Sequence, residues 1–213
     1  MDNTLSMYII AGVVTLTVIT IPLLYKRYRS KQNSKKYSTY VRPYSPIIGP
    51  KNAKIIITIF LDPASINSKA SYRQILEFIN DYEGKVKVVI RYHAEFSTSM
   101  KAIEILEASK SQNMQKKVMD IVFKNPSVWE NEYSSDLELL YIELEKNGVD
   151  IKRLKRDMNH PKISTISVQE LVDANQLKIK QTPTYFVNEH AIGSFDLYFL
   201  EDLIKREIKL NYE

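Results

Sequence analysis

The chain has 213 residues, 44% of them apolar and 26% charged, a balance that describes a globular domain with appendages rather than a disordered polymer. It contains no cysteine, which excludes disulfides, thiol catalysis and thiolate metal sites. The net charge of +5 sits at one end: residues 1–36 hold six of the 30 Lys/Arg and one of the 25 Asp/Glu, leaving 24 of each sign in the other 177 residues. The rest of the chain therefore carries no electrostatic footprint for nucleic acid.

Met7 to Tyr25 (MYIIAGVVTLTVITIPLLY) is a run of 19 residues without a charge, long enough to span a hydrocarbon core. Thr15, Thr17 and Thr20 can return their hydroxyls to a helix backbone, and Tyr8 and Tyr25 stand where interfacial aromatics are expected. A basic leader and a small-residue cleavage site are both missing, so the sequence predicts a retained anchor over residues 1–25. Lys26, Arg27, Arg29, Lys31, Lys35 and Lys36 follow it in a polar, flexible stem, residues 26–39. By the positive-inside rule that stem faces the cytoplasm.

Residues 40–213 read as the folded domain. Two prolines make Tyr40–Pro46 an extended lead-in, and Ile47–Asn52 has turn chemistry. Lys54–Leu61 is a continuous β-branched run, the pattern of a strand covered on both faces. After Asp62-Pro63, Tyr72, Ile75, Leu76 and Ile79 fall at helical spacing, so a helix runs from Ser65 to about Tyr82 and stops at Gly84. Val86–Tyr92 is a second buried strand, which closes a βαβ unit. Helical stripes follow, punctuated by Pro126, Gly148 and Pro161, in a block over about residues 98–177. Thr184–Val187 and Ala191-Ile192 form an antiparallel hairpin turned at Asn188-Glu189-His190. An amphipathic helix over Phe195–Leu210 closes the chain.

Three blocks carry a resemblance. YVRPYSPIIGP followed by IIITIFLDP, VKVVIRYHAEF with the helices after it, and Gln181-Thr182-Pro183-Thr184-Tyr185-Phe186-Val187-Asn188 resemble the DsbA-type thioredoxin family over about residues 40–210. The resemblance implies an α/β thioredoxin fold with an inserted helical subdomain (βαβ, helices, ββα), which the anchor read above places behind one N-terminal transmembrane helix. It also implies that Pro183 is cis and faces the active-site turn. Family members are bacterial thiol–disulfide oxidoreductases that usually work outside the cytoplasm, some of them anchored in the inner membrane, which opposes the charge rule above. In the family that turn carries C-x-x-C. Here Ser65 and Ser68 stand at the two cysteine positions, with Ile66 and Asn67 between them.

A hydroxyl cannot take part in disulfide exchange, which needs a thiolate. The expectation is therefore a redox-inactive binding or structural module with no catalytic residue, cofactor or metal. Ser65, Ile66, Asn67, Ser68, Thr182 and Pro183 would form a groove for an extended peptide or partner protein, held by strand addition at the edge before the proline. The plainest role for Ser65 is a helix N-cap. Two alternatives stand. In one, an oxidoreductase has had both cysteines replaced by serine in this sequence. In the other, a glutathione-dependent transferase resembling the kappa class uses Ser65, although Ile66 replaces that family's proline. Asp62 is assigned to turn initiation. His93, His160 and His190 have no metal-ligand spacing and read as surface or turn residues.

Overall fold

The computed structural model describes residues 18, 20–24, 39–82, 84–124, 130–131, 134–188, 190–192 and 196–213. The anchor expected over Met7–Tyr25 and the stem at 26–39 lie largely outside them. Among the described residues no helix is long and apolar enough to cross a membrane. Residues 40–213 form one compact unit.

The domain starts with a difference from expectation. Ile47–Ile48 is not turn but a short strand, β1, and the turn follows it at Gly49. Two adjacent β-branched residues pair antiparallel with a neighbouring edge, while Pro46, which has no N–H to give, accepts from Ile90 N–H at 3.0 Å. Gly49 has φ +100°, and a Cβ there would meet the Val86 carbonyl oxygen at 2.9 Å, so the turn demands glycine.

Strand β2 (Ile55–Leu61), helix α1 (Ile66–Phe78, with a 3₁₀ turn to Tyr82) and strand β3 (Val86–Tyr92) make the βαβ unit, and β2 and β3 are parallel from Ile55↔Val86 to Leu61↔Tyr92. The helical insertion comprises α2 (Ser97–Ala108), α3 (Gln115–Lys124), α4 (Leu137–Lys146), α5 (Ile151–Met158) and α6 (Pro161–Gln176). A small ladder, β4 (Glu130–Asn131) with β5 (Ser134–Ser135), interrupts it and has no sequence signal beyond polar residues. Strands β6 (Thr184–Val187) and β7 (His190–Ile192) form the hairpin, and α7 (Leu197–Tyr212) ends the chain. The sheet order is β1-β3-β2-β6-β7, so β2 lies at the centre. This is the thioredoxin arrangement with a helical insertion.

The pleat of β2 sorts its side chains. Ile55, Ile57, Ile59 and Leu61 join Tyr72 and Ile75 of α1 and Leu200, Leu203 and Ile204 of α7 in the main core. Each such side chain, fully buried, contributes about 1.5–3 kcal/mol. Phe60 points the other way, into a smaller cluster with Tyr40, Ala174, Ile179 and Phe186.

That second layer contains charge. Arg91 of β3 is fully buried, its guanidinium 5.0 Å from the Phe60 ring centre. Its Nε donates to both Glu170 carboxylate oxygens at 3.0 Å, and its Nη2 donates to Asp173 Oδ2 at 2.6 Å. Asp173 also takes a fork of bonds from Arg42 at 2.6 and 2.7 Å, and Glu170 accepts from Tyr92 N–H at 2.7 Å. The cluster ties the lead-in, the sheet and α6 into one piece. Burial pushes the Glu170 carboxyl up despite Arg91. Burial acts on Asp173 in the same direction, but hydrogen bonds from Arg42, Arg91 and Gln169 outweigh it and hold that carboxyl below its usual range. Removing Arg91 leaves two carboxyl groups buried without their shared cation. Arg91→Met should cost about 3–5 kcal/mol in denaturant unfolding, and adding Glu170→Gln should return part of that loss.

Candidate functional site

Chain direction builds the site at the end of β2. Asp62-Pro63 leaves the sheet, Ser65 N–H donates back to the Asp62 carbonyl at 3.1 Å, and α1 begins. Ser65 has the extended backbone of an N-cap, and its Oγ accepts from Ser68 N–H at 3.3 Å. The capping role expected for it is therefore present. Ser68 turns inward and is fully buried, with its Oγ accepting from Asp62 N–H at 3.0 Å. The two hydroxyls therefore differ: Ser65 lies at the half-exposed rim, Ser68 beneath it.

Asp62 does more than start a turn. Its side chain is completely buried, Oδ1 accepting from Ala64 N–H at 2.7 Å and Oδ2 from Glu95 N–H at 3.0 Å. One carboxylate thus fastens the serine turn to the loop between β3 and α2. Burial raises its pKa, opposed by the Ser99 hydroxyl and then by those main-chain donors. Lys69, one residue past Ser68, is buried too; burial pushes its ammonium down to about 8 while Asp62 pulls it up.

Facing this turn is the loop before β6. The Thr182–Pro183 bond is cis, as the resemblance implies. A groove of about 460 Å³ runs between Asn67, Ala70, Ser71 and Gln74 of α1 and Gln181, Thr182 and Pro183. The structure thus brings Asn67 together with Thr182 and Pro183. Ser65 and Ile66 lie at the helix start outside that lining, and Ser68 is below the surface. Ile66 is 57% exposed. Nearby, the edge ahead of the proline is occupied: Glu95 Oε1 accepts from Thr182 N–H at 3.1 Å and from Thr182 Oγ1 at 2.8 Å. Sequence reasoning missed Glu95, whose only signal is its place just beyond a buried strand, and it missed Lys69.

The histidines stay apart. His93 follows β3, His160 caps α6 with Nδ1 accepting from Lys162 N–H, and His190 is exposed on β7. No group of His, Asp or Glu among the described residues could hold a metal. A larger cavity of about 860 Å³ lies elsewhere, among Tyr44, Glu107, Lys110, Asp157 and Lys162, and its walls carry both signs of charge.

A family model described as thioredoxin matches residues 41–206. The chain belongs to the thioredoxin family. No curated protein sequence matches it, but solved structures share the family fold. The thiol-disulfide exchange protein alpha-DsbA2 from Wolbachia pipientis is similar at 23% identity and TM-score 0.68, over 85% of this chain and 97% of that one. A thioredoxin-like oxidoreductase from Silicibacter pomeroyi is similar at 18% identity and TM-score 0.69, over 81% and 96%. Oxidised BdbD from Bacillus subtilis is similar at 20% identity and TM-score 0.67, over 78% and 94%. Among thioredoxin-family members, this one carries oxygen at both positions of its active-site turn.

Lys69 provides a direct check on the buried layer under the turn. The folded state holds its proton to about pH 8, whereas an unfolded lysine keeps it to about 10.4. Between those values the unfolded chain binds more protons, so this group's contribution to stability rises with pH across that window. The melting temperature of the wild type should therefore climb relative to Lys69→Met from about pH 8 to pH 10, by at most about 3 kcal/mol in free energy. Parallel profiles would contradict it.

Proposed function

We propose that this protein is a redox-inactive relative of the DsbA-type oxidoreductases that binds extended peptide or protein segments in the groove between the start of α1 and Pro183. The observation that carries the reading is the hydroxyl pair at 65 and 68 in a chain with no cysteine. Exchange needs one sulfur to attack a disulfide and another to release the product, and this chain has neither. The surrounding frame favours binding. A capped helix start with its positive dipole end, an exposed Ile66 and a shallow groove against the proline loop remain without the thiols. Asn67, Thr182 and Pro183 line the groove, Ser65 and Ile66 form its approach, and Ser68 serves the turn from beneath.

The domain is held at the bacterial inner membrane by residues 7–25, whose uncharged length supports an anchor, with 26–39 as a basic stem that can rest against anionic headgroups. Insulin reduction and dithiol oxidation by the protein should stay at background, and turnover above it would end the redox-inactive reading. Millimolar glutathione should leave the melting temperature unchanged, since a ligand of the native state would raise it. Alkaline carbonate should leave the full chain in the membrane pellet and release one starting at Tyr40. A reporter fused after Glu213 reads the side on which the domain lies.

A further inference from the structure

Strand addition beside the proline loop would use the main-chain N–H of Thr182, and that donor is already engaged by Glu95 Oε1 at 3.1 Å, with the Thr182 hydroxyl on the same oxygen at 2.8 Å. The engaged side chain is exposed, while its own main-chain N–H is fixed to Asp62 Oδ2. The carboxylate can leave Thr182 while the loop stays in place. Among the described residues no Lys or Arg forms an ion pair with Glu95, and the polar lining of the groove (Asn67, Ser71, Gln74, Gln181) is uncharged. Lys69 is buried beneath. The residues that line the groove therefore offer a displaced Glu95 no cation.

We propose that Glu95 competes internally for the peptide edge and makes the groove select extended segments that carry a lysine or arginine. This rests on the peptide-binding reading above and names the class of segment. An incoming strand takes Thr182 N–H and pushes the carboxylate aside. Losing those bonds weakens the binding of every segment. A neutral or acidic segment offers nothing in return, and an acidic one adds repulsion. A cationic side chain beside the pairing position receives the carboxylate and offsets the loss. Ile66, the first residue of α1, and Phe96, next to Glu95 in sequence, are 57% and 61% exposed and offer apolar surface to the same segment.

The test uses the detergent-solubilised full chain as wild type, Glu95→Gln and Glu95→Ala. The probes are two fluorescein-labelled nine-residue Ser/Thr/Val peptides, one with a central lysine and one with alanine there. Wild type should prefer the lysine peptide by about fivefold, the scale of one exposed ion pair. Glu95→Ala should bind both equally, and the alanine peptide more tightly than wild type does. Glu95→Gln, which keeps an acceptor without the charge, should lose the preference while Thr182 stays protected from hydrogen exchange. In the absence of peptide, exchange at Thr182 should speed up in Glu95→Ala only. Equal binding by the wild type, a preference that survives in Glu95→Gln, or unchanged exchange in Glu95→Ala would overturn the role of Glu95 alone. Failure of both peptides to bind any of the three proteins at millimolar concentration would remove the groove reading and this inference with it.

Discussion

Asp62 has no water to turn to. A carboxylate buried completely must be met by donors, and here they are the N–H groups of Ala64 and Glu95, which belong to different loops. The rest of the site follows from that pair of bonds. The first shapes the turn that presents Ser65, and the second sets Glu95 where its side chain reaches Thr182. Three segments far apart in sequence, the ends of β2 and β3 and the loop before β6, are thus coupled through two carboxyl groups.

Behind the site, the second face of the sheet is held by a different device. Phe60, Phe186 and Tyr40 supply apolar area, yet the centre of that layer is the Arg91 guanidinium bridging Glu170 and Asp173. A buried ion cluster contributes little net stability compared with an apolar core. It does join parts: the bonds of Arg42 and Arg91 to Asp173 and of Arg91 to Glu170 hold the lead-in, β3 and α6 together, and a misplacement of any of them strands a charge. The lead-in is thereby anchored against the same sheet that carries the site.

Much of this was legible in the chain itself. The unbroken β-branched run at 55–59, the spacing of Tyr72, Ile75 and Ile79, and the proline between two threonines each report a local rule, and local rules survive translation into structure. Ile47-Ile48 misled because turn residues flank it, while pairing with β3 is a tertiary matter that two residues cannot announce. Glu95 and Lys69 were illegible for a related reason. A glutamate after a strand and a lysine in the first turns of a helix are ordinary surface residues in sequence, and only the meeting of three loops gives one a main-chain partner and buries the other. The serines were visible at once, but not their inequality, because helix phase alone does not say that Ser68 closes a bond to Asp62 N–H.

That inequality bears on how the turn can change over time. Oxygen at position 68 accepts a main-chain hydrogen at 3.0 Å in a space with no exposure, whereas sulfur is larger and a weak acceptor. Position 65 carries a weaker constraint: its Oγ accepts the capping bond from Ser68 N–H at 3.3 Å, but at a half-exposed rim. The path from this chain to a dithiol is therefore uneven: sulfur at the rim weakens one exposed cap, while sulfur at the inner position loosens a buried bond that helps shape the turn. The serine oxygens are part of the architecture of the turn.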